Sequence, residues 1–190
     1  MNIRELILKT RSYRRFDESY QVDIKILEEL VDLARLSASA ANRQPLKYIL
    51  CNNSECCGKI FPSLAWAGYL KDWDGPVAGE RPSAYIIILG DKTVAESFNV
   101  DHGIAAQSIM LGASESGLGG CMIASVRREL LRSEINIPEN FEILLVLALG
   151  KPVENVILDE VRDGDIKYWR DSDQNHHVPK RKLEDVIIKV

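Results

Sequence analysis

Two unbroken apolar runs set the terms for any fold this chain can adopt: "AYIIILGD" at Ala84–Asp91 and "FEILLVLALGKP" at Phe141–Pro152. Neither alternates polar with apolar residues, so each reads as a strand buried on both faces. Both fall far short of the roughly 20 apolar residues that a membrane-spanning helix needs. A soluble sheet with such strands at its centre has to be covered by helices.

The remaining elements supply that cover. A helix is expected over Ile3–Thr10, with Asn2 as its cap and Glu5 completing a capping box. A second runs from Asp23, its N-cap, to Leu36. Val22 and Leu27 are spaced as a hydrophobic staple, and Leu27, Leu30, Val31 and Ala34 form one apolar face. "SASAANRQP" is a loop and "LKYILCN" a strand. The segment 55–84 mixes helical pieces around "LAWAGYL" with a Gly/Pro-rich loop carrying aromatic residues. A helix over 98–116 is built from small residues. It is either crowded by its own sheet or packed on a symmetry mate. "GLGG" stops it with a left-handed turn, and "VRRELLRSE" is a further helix. The charged tail carries a short helix at its end. Because strands and helices do not alternate regularly, the fold class is α+β, a mainly antiparallel sheet flanked by helices, in one domain over 1–190.

Several function classes drop out. Net charge is −4 over 190 residues, which argues against a nucleic-acid binder. No signal peptide is visible, pointing to the cytoplasm. Cys51, Cys56, Cys57 and Cys121 lack metal-ligand spacing and read as reduced thiols. There is no G-x-S-x-G elbow. Neither a P-loop nor a dinucleotide fingerprint is present. His102 reads as structural, and His176 and His177 lack a third ligand for a metal.

Two basic clusters stand out in this acidic chain. Arg11, Arg14 and Arg15 flank Ser12 in "KTRSYRRFDESY"; Lys180, Arg181 and Lys182 lie in "VPKRK". Guanidinium forks and a hydroxyl are the donors that a phosphate ester wants. The clusters either converge on one dianion or are solvated faces, with Arg14 and Arg15 pairing Asp17 and Glu18.

"TRSYRRFDES" resembles the R-R-S-x-R-x-F opening of the FMN-dependent nitroreductase family. "SASAANRQPLKYIL" resembles that family's P-S-A-x-N-x-Q-P-W and following strand. "GLGGCMIASV" and "NIPENFEILLVLALGKP" resemble its G-L-G-S-C-W-I-G-G and I-P-E-x-Y-E stretches, and "VPKRKLEDVI" its C-terminal basic motif. These stretches occur in the family's order.

The resemblance implies an intertwined homodimer with FMN at its interface and NADH or NADPH as electron donor. Hydride would pass by ping-pong through flavin N5 to a nitroaromatic, quinone or similar small oxidant. Relatives of the fold that dehalogenate rings or degrade flavin, and a non-catalytic flavin-binding dimer, remain alternatives. Carried over residue by residue, Arg11, Ser12, Lys180 and Arg181 would hold the phosphate. Arg14 would lie near flavin N1 and O2, where reduction leaves negative charge. Ser39, Asn42 and Gln44 would reach the flavin or ribityl chain from the other subunit. Met122, Ile123, Ala124 and Ser125 would line the flavin, with the Ala124 backbone N–H near N5. No side chain is assigned as a catalytic acid or base, and no metal or membrane partner is implied. Thr10 stands where many members have an arginine, and Met122 and Leu46 where many have tryptophan. Trp66, Tyr69, Lys71 and Trp73 either cover the pocket or pack within their loop.

Overall fold

The computed structural model describes all residues from Met1 to Val190. Its centre is a five-stranded antiparallel sheet. The strands are β1 (Phe16–Asp17), β2 (Leu46–Cys51), β3 (Ala84–Asp91), β4 (Gly119–Ile123) and β5 (Phe141–Pro152). β5 pairs with β3 along one edge and with β4 along the other; the two residues of β1 pair with Lys151 and Pro152 at the end of β5, and β2 closes the far side of β3.

Every residue of β3 is buried, as its unbroken apolar run requires. The strand's two-residue period divides the core. Ala84, Ile86 and Ile88 join Leu145, Leu147 and Leu149 beneath α2 (Ile24–Arg35) and α4 (Asp101–Glu115). Tyr85, Ile87 and Leu89 join Val146 and Ala148 on the opposite face, where α3 (Ser54–Ile60) and α5 (Arg128–Ile135) contribute Ile60 and Leu131. The β3–β5 register steps from Ile88↔Leu145 to Leu89↔Ile143. This bulge places Ile143 on the face of Val146, against the simple alternation.

The first helix, α1 (Ile3–Lys9), carries the expected capping box between Asn2 and Glu5. Asp23 caps α2 through Lys25 N–H. On α4, the small residues serve the approach of α2: a Cβ on buried Gly112 would overlap Leu30 and Leu33. The opposite side of α4, at Gly103 and Ile104, faces solvent. Gly117, at φ +76°, makes the left-handed stop.

Three expectations fail. "LAWAGYL" forms no helix; the helix of that region is α3, earlier in the chain, where Asn53 supplies a cap to Cys56 N–H. The tail ends in a single 3₁₀ turn at Leu183–Asp185, and its body builds a second sheet: β6 (Val156–Glu160), β7 (Trp169–Arg170) and β8 (His176–Lys180) in the order β6-β8-β7. The cysteines are not all free: Cys51 at the end of β2 is bonded to Cys56 on α3, with Cα atoms 6.0 Å apart. Cys57 keeps its thiol, which burial pushes up to about 11. No helix is long and apolar enough to cross a membrane.

Candidate functional site

A cleft of ≈ 390 Å³ opens where the arginine segment, α4, β4 and the second sheet meet. Its wall includes Arg11, Ser12, Arg14, Met122, Tyr168, His176 and Lys180, and no acidic residue. Lys180 of the second basic cluster therefore joins Arg11 and Arg14 of the first, from which it is remote in sequence. The segment 10–14 is held to the sheet by the bridge Ser12↔Gly120 and by Tyr13 N–H donating to Gly120 O at 2.9 Å. Strand alternation does the rest. On β4, Met122 is exposed to the cleft while Cys121 and Ile123 are buried in the core. On β8, His176, Val178 and Lys180 face the cleft. His177 and Pro179 face a separate depression with Asp159, Asp165 and Trp169.

The cations of the cleft have no counterions. Arg15, Arg35, Lys59, Arg132, Arg170 and Lys182 each pair with a carboxylate; Arg11, Arg14 and Lys180 do not. Arg15 takes both oxygens of Glu80, neither Asp17 nor Glu18. Arg11 donates from Nη2 to Ile7 O at 2.7 Å, and its Nε is buried without an acceptor. Burial lowers the pKa of Arg11, the nearby Tyr13 opposing. Arg14 donates from Nη1 to Ser12 O at 3.1 Å, and its guanidinium lies 4.9 Å from the Tyr168 ring centre. Thr10 brings no charge: its Oγ1 donates to Leu6 O at 2.8 Å and meets Ser114 Oγ at 2.9 Å, tying α1 to α4.

Other expected residues lie elsewhere. Ser39 and Gln44 line a second cleft of ≈ 230 Å³ with Tyr48, Asp101 and Ala105. There Ser39 Oγ donates to buried Asp101 at 2.6 Å, Ala40 N–H donates to the other Asp101 oxygen at 3.0 Å, and Gln44 N–H donates back to Ser39 Oγ at 2.9 Å. This clamp holds Ala41, Asn42 and Gln44 at φ of 51°, 54° and 51°, a conformation disfavoured for residues with a Cβ. Asn42 is exposed at the tip of the loop. Ala124 and Ser125 follow β4 at the surface; their backbone N–H groups find no acceptor in the chain. Arg181 lies just past β8, exposed and outside the cleft wall.

Known proteins supply the context. A profile of the Nitroreductase family matches residues 7–151. The chain belongs to the nitroreductase family. A Methanothermobacter thermautotrophicus protein, provisionally named NADH dehydrogenase/NAD(P)H nitroreductase, is 31% identical over 162 residues, covering 82% of this chain and 80% of the relative. A nitroreductase family protein of Clostridium difficile superimposes with TM-score 0.65 at 25% identity, over 80% of this chain and 86% of that one. An Exiguobacterium sibiricum protein provisionally named a nitroreductase, solved in complex with FMN, superimposes with TM-score 0.67 at 17% identity, over 80% of this chain and 89% of that one.

Within this nitroreductase fold, the cleft also holds residues absent from the expected set, Tyr168 and His176 among them. Tyr168 packs between Arg14 and Tyr69; its ring centre is 4.9 Å from that of Tyr69, and its hydroxyl accepts Tyr69 N–H at 3.3 Å. His176 is fully buried against Arg14. The period-two pattern of "HHVPK" carries both a cleft face and an outer face, but a charged tail hides it. Of the aromatic candidates, Trp66 is core, packed on Phe61, and Trp73 lies under Arg170. Tyr69 alone touches the cleft wall, and Lys71 borders a shallow depression beside Trp73.

Proposed function

We propose that this chain is an FMN-dependent NAD(P)H oxidoreductase of the nitroreductase type, one flavin-binding domain over residues 1–190 acting as a homodimer. The observation that carries this reading is the uncompensated charge of the cleft. Arg11, Arg14 and Lys180 meet there with no carboxylate partner, in a protein of net charge −4 in which the half-buried Arg15, Arg132 and Arg170 each pair with one. An anion with a dianionic end and a second electron-rich end fits that donor set. The buried, unpartnered Nε of Arg11 is a donor in want of such a group.

When bound, FMN supplies a two-electron carrier that accepts hydride at N5 from NADH or NADPH and delivers it to a small oxidant such as a quinone or nitroaromatic. The chain's own work is binding and electrostatics. Arg11, Ser12 and Lys180 hold the phosphate, with Arg181 within reach from the end of β8. Arg14 keeps a fixed positive charge beside the redox end, where negative charge grows on reduction. The free N–H groups of Ala124 and Ser125 give donors that need no side chain, so the family's glycines can be replaced here. Met122 and Tyr168 wall the cleft and limit water.

The Ser39–Gln44 loop lines a different cleft of its own chain; on this reading it serves the first cleft of a second copy. Exposed Ile3, Ile7 and Leu8 on α1 and Leu183, Val186, Ile187 and Ile188 in the tail are the apolar surface that such a dimer covers.

The purified protein is expected to be yellow, dimeric by light scattering, and bleached by NAD(P)H under anaerobic conditions. A colourless chain that takes up no added FMN overturns the reading. Flavin binding without steady-state NAD(P)H oxidation in the presence of quinone would leave a non-catalytic flavin-binding dimer. Arg14→Ala should lower the flavin midpoint potential; an unchanged potential removes Arg14 from the redox end.

A further inference from the structure

His176 is fully buried in the cleft wall, yet its neighbour is a cation. Its Nε2 lies 3.0 Å from Arg14 Nη1. A guanidinium has donors and no acceptor, so Arg14 donates and His176 Nε2 accepts. The ring is then neutral, with its proton on Nδ1. Burial first, then the charges of Arg14, Arg170 and His177, push its pKa down to about 4, which keeps it neutral through the physiological range.

The carboxylate that meets Arg14 does so at the backbone and is fully engaged. Glu154 accepts the backbone N–H of Arg14 on one oxygen and Arg170 Nη2, at 3.1 Å, on the other. What grips the Arg14 side chain is neutral throughout: the Ser12 carbonyl, His176 Nε2 and the face of Tyr168. A carboxylate in place of His176 would hold the guanidinium as well, but would cancel its charge. An apolar residue would leave its position unfixed.

We infer that His176 is a positioning residue: a neutral acceptor that fixes the Arg14 guanidinium in the cleft while leaving its full charge available to a bound anion. The inference rests on the FMN reading above and adds to it a residue that acts only through Arg14.

The test compares the two-electron midpoint potential and the FMN dissociation constants of oxidised and reduced holoprotein for the wild type, H176Q, H176N, R14A and R14A/H176N. The Gln amide oxygen reaches about as far as Nε2 and keeps the hold; the Asn oxygen stops near the Nδ1 position and loses it. H176Q should therefore keep the wild-type potential. H176N should lower it, weakening binding of reduced FMN on the order of tenfold relative to oxidised FMN, the worth of one charge-assisted hydrogen bond. In the R14A background, H176N should shift the potential no further. Equal shifts in H176Q and H176N, a shift of H176N that persists in R14A, or no shift in H176N where R14A gives one, would each overturn the inference. Because those comparisons are made on flavin-loaded protein, they fail separately from the FMN reading, which falls only if the wild type itself takes up no flavin.

Discussion

All eight residues of β3 are buried and all but one of those in β8 are partly or fully accessible, although both strands sit inside three-strand-or-wider sheets. The first sheet is held by apolar area on two faces, with α2 and α4 on one side and α3 and α5 on the other. The second is held by polar links. Arg170 pairs Glu154 at 3.1 Å, His177 lies between Asp159 at 2.7 Å and Asp171 at 3.2 Å, and Asn175 donates to Asp171 at 2.8 Å. Trp169 stacks on His177 with ring centres 4.1 Å apart. Apolar burial is tolerant of sequence detail, since many residues can fill a core. A polar lattice is not: each member left alone under cover costs its desolvation.

The contrast breaks first at Glu154, whose side chain is fully buried against an Arg170 side chain that is 10% exposed. Glu154→Ala leaves that guanidinium, stacked on Trp73, without its anion and frees the backbone N–H of Arg14. The expected loss is about 3–5 kcal/mol of unfolding free energy by chemical denaturation. A loss below about 1 kcal/mol would place the second sheet's stability elsewhere. Leu147→Ala, fully buried in β5, should cost about 2–5 kcal/mol with the slope of the denaturation curve unchanged.

The neighbouring histidines sharpen the comparison through pH, with opposite signs. Burial alone would lower His177, but the carboxylates of Asp171 and Asp159 raise it above 6.5 in net. Its contribution is therefore complete below 6.5 and lost as pH rises through the folded value. His177→Gln should destabilise the protein more near about pH 5.5 than near about pH 9. His176 is depressed to about 4, so the unfolded chain takes up its proton first, and stability is lost as pH falls from 6.5 toward that value. His176→Gln should relieve that part of the acid loss. Parallel pH profiles for both variants would mean that the two faces of β8 are electrostatically alike. At the bottom of the scale is Arg35→Ala, which opens an Arg35–Asp32 pair 62% and 52% exposed and should leave the denaturation midpoint where it is.

The same contrast explains what could be read from sequence. β3 and β5 are legible because one physical demand, burial on both faces, writes itself as an unbroken run. The caps at Asn2 and Asp23 are legible because their partners are three or fewer residues away. The arginine cluster could be linked to the Lys180 cluster by resemblance, and the cleft places Arg11, Ser12, Arg14 and Lys180 together. The second sheet was hidden because its strands are short and its partners distant: Glu154 meets Arg14, and Tyr168 meets Tyr69, across gaps that no local pattern records. "LAWAGYL" misleads for a related reason. Its apolar residues serve the core and the cleft wall from irregular backbone, with Ala67 at a φ of 36° that no helix contains.

The tail strand β8 also makes function depend on counting. Residues 176, 178 and 180 face one cleft and residues 177 and 179 another. Inserting or deleting one residue in the turn at 171–175 would exchange the faces, turning His177 and Arg181 inward and sending His176 and Lys180 to the outer depression. Length variation in that turn is therefore constrained to steps of two, even though Ser172, Asp173 and Gln174 are exposed and no residue of the turn lines the cleft. Among related chains, the parity of this turn, more than its sequence, should track whether the arginine of the first cleft keeps its neutral neighbour.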